Sequence, residues 1–141
     1  MKKILVINGP NLNMLGIREP EIYGTETYDD LCKKIIEYSS KLNVDIEIFQ
    51  SNYEGQIIDT IQGAYDTYSG IIINAGAYTH TSIAILDALK SVGIRTIEVH
   101  LTDTMNREYY RKKSFISEYA ERIICGNGVE GYLQAIEYLI K

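Results

Sequence analysis

The 141 residues are 45% hydrophobic and 23% charged, an ordinary globular balance with enough chain for one domain and a real core. A net charge of −5 argues against nucleic acid as the main partner, although a locally basic site can still take a small anionic substrate. No signal-like or membrane-length apolar segment appears, and Cys32 and Cys125 match no metal or CxxC spacing. A cytoplasmic protein with reduced thiols and no membrane partner is therefore expected.

Residues 3–8, KILVIN, predict a first strand, followed by the polar, glycine-punctuated stretch GPNLNMLGIREPEIYG. Thr27, with Asp30 three residues on, has capping-box spacing and opens a helix expected to run to about Lys41. A second strand is expected from Val44 to Phe49. Ser51 and Glu54 repeat the cap spacing ahead of a helix running towards Gln62. Gly70 to Asn74 predicts a third strand, its run Ile71-Ile72-Ile73 covered on both faces. NAGAYTHTSIAILDAL then converts that strand into a helix from Ser82, with Ile83, Leu86 and Leu89 at helical spacing. Thr96 to Leu101 predicts strand four, Arg122 to Cys125 a short strand five, and Glu130 to Lys141 the last helix.

Strands alternating with helices at this spacing imply βαβ units with right-handed crossovers and a parallel sheet. Five strands in so short a chain point to an α/β, flavodoxin-like three-layer sandwich with strand order 2-1-3-4-5. In that order the unusual polar residues converge. Asn11, Arg18 and Tyr23 follow strand one, Asn74 and His80 follow strand three, and His100, Arg107 and Arg111 end or follow strand four. All lie at the carboxyl edge, where open parallel sheets bind ligands.

Alternation along TIEVHL places Thr96, Glu98 and His100 on one face. Glu98 can then orient His100 as a proton donor; a satisfied structural pair is the alternative. His80 is either a ligand group or a turn residue capping the next helix. Two histidines without a third nitrogen or thiolate make a poor zinc set, so no metal is expected. Tyrosines number 12, so residue type singles none of them out. Tyr23, however, shares a long loop with Arg18, and a nearby guanidinium favours the phenolate that a tyrosine base needs. The alternative is that Tyr23 packs and Arg18 is solvated. Arg107 and Arg111, four apart in NREYYRKKS, would share a face if that piece were helical, suiting a carboxylate or phosphate; a solvated charged face is the alternative. GNGVEG fits GxGxxG, but the chain ends before the second strand and acidic residue of a dinucleotide site, so it reads as a glycine turn opening the last helix.

With these residues placed, the sequence resembles the type II 3-dehydroquinate dehydratases from end to end. INGPNLNMLGIREPEIYG, FQSNYEGQIIDTIQ, IIINAGAYTHTSIAILDAL, IEVHL and GNGVEGY follow the family pattern in order. The resemblance implies a single catalytic domain over residues 1–141, a homododecamer built as a tetramer of trimers, no cofactor, and 3-dehydroquinate as the small anionic substrate. It implies Tyr23 as the base beside the ketone, with Arg18 depressing its pKa. Asn11 would hold a water at the enolate, and His100, backed by Glu98, would protonate the leaving hydroxyl. Asn74, His80 and the backbone at Leu101 and Thr102 would bind the carboxylate and ring hydroxyls, Arg111 the far hydroxyls, and Asp87 would reach a neighbouring subunit's site. After VHL the family pattern resembles SNIHARExFRHxS, whereas this chain has TDTMNREYYRKKS, departing at Asp103, Met105, Asn106 and Lys112.

Two competing readings remain at this stage. A non-catalytic flavodoxin-like module binding a nucleotide or phosphate would need neither a base nor an acid. A Schiff-base dehydratase would need a desolvated lysine, and none sits in the carboxyl-side turn of a predicted strand, Lys3 being at the amino end of the first.

Overall fold

A computed structural model describes residues 2–17, 21 and 25–141. Side-chain alternation along β1 (Lys2–Asn8) explains its layered build: Ile4 and Val6 enter one apolar cluster, Leu5 and Ile7 the other. β2 (Val44–Gln50), β3 (Gly70–Asn74), β4 (Arg95–His100) and β5 (Arg122–Cys125) complete a parallel sheet in the order β2-β1-β3-β4-β5. This is the expected order, with element ends shifted by a residue or so.

Helices cover both faces. α1 (Tyr28–Lys41) and α4 (Glu130–Ile140) place Leu31, Ile35, Tyr132 and Ile136 on the Ile4–Val6 face. α2 (Glu54–Gly63) and α3 (Ile83–Val92) place Ile57, Ile61, Ile85 and Leu89 on the Leu5–Ile7 face. The central isoleucines of β3 are wholly buried, and each contributes about 1.5–3 kcal/mol relative to an exposed side chain.

The caps follow local chemistry, with one correction. Thr27 and Asp30 form the expected capping box at α1, and Ser82 caps α3 by accepting from Ile85 N at 2.9 Å. Ser51 and Glu54 do not form a box. Tyr53 is the N-cap of α2, Ser51 Oγ accepts from Tyr53 N at 2.9 Å, and Glu54 accepts from Ser82 Oγ at 2.5 Å. The carboxylate's partner lies across the fold, a tertiary contact that outcompetes the local one.

Strand register aligns the site. Asn8 pairs with Gln50 on one side and Asn74 on the other, and His100 pairs with Cys125. All five strands therefore end at the same edge.

Candidate active site

Two backbone approaches shape the floor of the site. Gly9 N donates to Asn74 O at 2.8 Å, so the turns after β1 and β3 run against each other. A Cβ on Gly9 would meet Ala75 O at 2.3 Å. Gly76, at φ 61 and with its would-be Cβ 2.9 Å from Pro10 O, begins a 3-10 turn over Gly76–His80. The strand-to-helix join is thus not a plain turn but one 3-10 segment that brings His80 back over the edge.

Along the same edge runs a cavity lined by Asn11, Asn74, His80, His100, Thr102 and Arg111, with Leu101, Arg107 and the carbon surfaces of Leu12 and Leu15 filling the wall between them. Eight expected site or edge residues therefore meet in one place. Glu98 stands directly behind His100. Asp87 is exposed on α3 and does not line its own chain's cavity. Arg18 and Tyr23 lie outside the described residues.

His100 is 7% exposed and Glu98 1% exposed. The ring Nε2 lies 2.5 Å from Glu98 Oε2, which makes Nε2 the donating nitrogen and leaves Nδ1 for chemistry. Glu98 is saturated by further donors: Ser114 Oγ to Oε2 at 2.8 Å and Ser117 Oγ to Oε1 at 2.6 Å. Burial pushes the Glu98 carboxyl up, but the bonds from His100, Ser117 and Ser114 and the charge of the imidazolium outweigh it and hold the group below the usual carboxylate range. An ionised carboxylate in this position fixes the ring plane and holds Nε2 as the donor.

His80 carries a complementary arrangement. Its Nδ1 lies 2.7 Å from Lys113 O, a pure acceptor, so Nδ1 donates there and Nε2 is the nitrogen left for a ligand hydroxyl. The N-cap of α3 is Ser82 and not His80, which removes the capping alternative.

The arginine wall is not the single helix that would have put Arg107 and Arg111 on one face. Residues 104–111 form two 3-10 turns, Thr104–Asn106 and Tyr109–Arg111, separated by Arg107 in extended conformation (φ −101, ψ −178). Asp103 starts the first by accepting from Met105 N at 2.9 Å and Asn106 Nδ2 at 3.1 Å, a side-chain turn that competes with helix. Both guanidiniums still reach the cavity, with Glu108 between them. Arg111 Nε is 3.0 Å from Glu108 Oε2, near enough for charge attraction although the N–H is not aligned for a hydrogen bond. Arg107 Nε is 3.9 Å from the same oxygen. The Glu108 backbone and then the two arginine charges hold its carboxyl low. Asp103, Met105, Asn106 and Lys112 do not line the cavity, whereas Thr104, which stands where the quoted pattern has Ile, does. Met105 is 62% exposed, and Asp103 and Asn106 bond each other.

Asn11 adopts a left-handed conformation (φ 72) and donates its backbone N–H to Asn52 Oδ1 at 3.0 Å. Gln50 Nε2 donates to Gly9 O at 3.1 Å and to Asn52 Oδ1 at 3.2 Å, tying the turn after β1 to the end of β2. Gln50, Asn52, Ser114, Ser117 and Thr104, which also lines the cavity, carry no periodicity that marks them as site residues. Gln50 at the end of β2, with Asn52 and Thr104 shortly after strand ends, had only their position as a signal; Ser114 and Ser117, well past β4, had none.

Residues 2–140 match the family described as Dehydroquinase class II. The 3-dehydroquinate dehydratase of Clostridium acetobutylicum is 55% identical over 137 residues, covering 97% of this chain and 95% of that protein. The crystal structure of type II dehydroquinase from Butyrivibrio crossotus matches with a TM-score of 0.98 at 51% identity, covering 99% of this chain and 98% of that one. The corresponding structure from Propionibacterium acnes matches with a TM-score of 0.95 at 42% identity, covering 99% and 96%.

Proposed function

The chain belongs to the class II dehydroquinase family, and we infer that its cavity is the active site of a type II 3-dehydroquinate dehydratase. The reaction is the reversible, cofactor-free loss of water from 3-dehydroquinate to give 3-dehydroshikimate. One observation carries the assignment of the acid: a buried imidazole at the end of β4, oriented by an ionised carboxylate and facing a cavity walled by two arginines.

In this reading Tyr23, activated by Arg18, takes the proton from the carbon beside the ketone. The freed pair forms an enolate, whose oxygen is stabilised through a water held by Asn11. Collapse of the enolate forms the C=C bond while the C–O bond breaks, and His100 delivers the proton with which the hydroxyl leaves as water. Asn74, the backbone at Leu101 and Thr102, and His80 through Nε2 hold the carboxylate and ring hydroxyls. Arg111 binds the far hydroxyls, and Asp87, exposed on α3, serves a neighbouring subunit's site within a homododecamer. A cytoplasmic enzyme acting in the shikimate route to aromatic amino acids fits this chemistry.

The test is spectroscopic. Adding 3-dehydroquinate to the purified protein should raise ultraviolet absorbance as the conjugated enone forms. No rise at micromolar enzyme would reject the assignment.

A further inference from the structure

Behind Asn74 runs a chain of hydrogen bonds through side chains that no step above uses. Asn74 Nδ2 donates to the Tyr132 hydroxyl at 3.1 Å, Tyr132 donates to Asn8 Oδ1 at 2.6 Å, and Asn8 Nδ2 donates to the Tyr28 hydroxyl at 3.3 Å. Tyr132 and Asn8 are wholly buried, and Asn74 is 5% exposed. Burial pushes the Tyr132 hydroxyl well above the usual tyrosine range, so it remains a one-proton donor.

The direction of this chain matters more than its length. Tyr132 gives its only proton to Asn8, so towards Asn74 it can only accept, and the Asn74 group facing it must be the amide NH2. On the other side Asn74 Oδ1 accepts from Gly76 N at 3.2 Å. Flipping the amide would set its carbonyl against an oxygen with no proton to offer, and its NH2 against an N–H. Both bonds would be lost together. Asn74 therefore has one stable orientation, with one amide hydrogen left for a ligand in the cavity it lines.

We propose that Tyr132, with Asn8 behind it, is a positioning residue of this enzyme: it locks the Asn74 amide so that the spare N–H is presented to an oxygen of the substrate. This rests on the reading of Asn74 as a substrate-binding residue. A tyrosine that merely filled the core beneath β3 would contribute to stability alone.

Steady-state kinetics on Tyr132→Phe, Asn74→Ala and the double variant distinguish these roles. Losing the lock should raise KM about five- to tenfold while kcat stays within about threefold, the signature of lost uniform binding. In the Asn74→Ala background the same change should raise KM less than about twofold, because nothing is left to orient. An unchanged KM for Tyr132→Phe, or an equal factor in both backgrounds, would overturn the proposal. If Asn74→Ala by itself leaves KM and kcat unaltered, the substrate-binding reading of Asn74 is what fails, and the positioning role falls with it. Should the Tyr132→Phe protein not fold, Asn8→Ala carries the test. It frees the tyrosine proton to donate towards Asn74 and favours the flipped amide, so it too should raise KM selectively, and a rise below about twofold overturns the idea.

Discussion

Ser117 donates to Glu98 Oε1 at 2.6 Å across 19 positions of sequence, and so occupies the carboxylate oxygen that His100 does not use. With Ser114 and His100 on Oε2, the buried carboxylate has three donors and no empty side. Ser117→Ala should cost about 1–3 kcal/mol of stability, because the acceptor it leaves is buried. It should also lower kcat roughly threefold or more as the His100 orientation loosens, each kcal/mol being worth about fivefold. A urea melt and a turnover assay read both effects; if neither moves, Ser117 is incidental.

The same donors set a pH dependence. Glu98 titrates below its ordinary range in the folded protein, so the stability it supplies is complete above the unfolded carboxylate range of about 4.3 and is lost as pH falls through the lower folded value. Glu98→Gln should be less stable at neutral pH and should lose less on acidification towards that range. Denaturant midpoints collected from pH 7 to pH 3 test the sign; parallel curves for the two proteins would contradict it.

Tyr23→Phe should keep the fold and much of the ligand affinity while removing nearly all turnover, since a positioned base contributes roughly 10²–10⁴-fold. A variant retaining more than about a tenth of the wild-type rate would remove Tyr23 from the role of base.

Turnover should be indifferent to borohydride and to chelators. Among the described residues no lysine lines the cavity, so no amine stands ready to form an imine with the ketone. Substrate-dependent inactivation by borohydride, with a mass adduct on a lysine, would establish the Schiff-base route instead.

Asp87 is exposed on α3, as is Ile83 one turn earlier at 54%, and Asp87 does not line its own chain's cavity. If the site is completed across a subunit boundary, light scattering should give a mass many times 16 kDa at micromolar concentration. Mixing Asp87→Ala and Tyr23→Phe chains under subunit exchange should restore some activity, because certain boundaries then hold both intact residues. A fully active monomer would end the shared-site idea.

The layers, and the gathering of the described polar candidates at one edge, were legible in the linear chain. Period-two and helical apolar spacing place β1 to β5 and α1 to α4, and strand ends in a parallel sheet bring Asn11, Asn74, His80 and His100 to one edge whatever the loops do. Glu98 beside His100 was legible too, because two residues apart on a strand means one face. Only the tertiary structure decided the partners across the fold: Ser114 and Ser117 on Glu98, Glu54 on Ser82 in place of a local cap, and Tyr132 on Asn74, 58 positions apart. It also settled the condition left open at Arg107 and Arg111: the piece is two short 3-10 turns, the first started by Asp103, and not one helix. The reason is physical. Periodicity records which face of an element is buried, a local property, whereas a buried polar group takes whichever donor or acceptor packing brings within about 3 Å, and nothing along the chain marks that partner in advance.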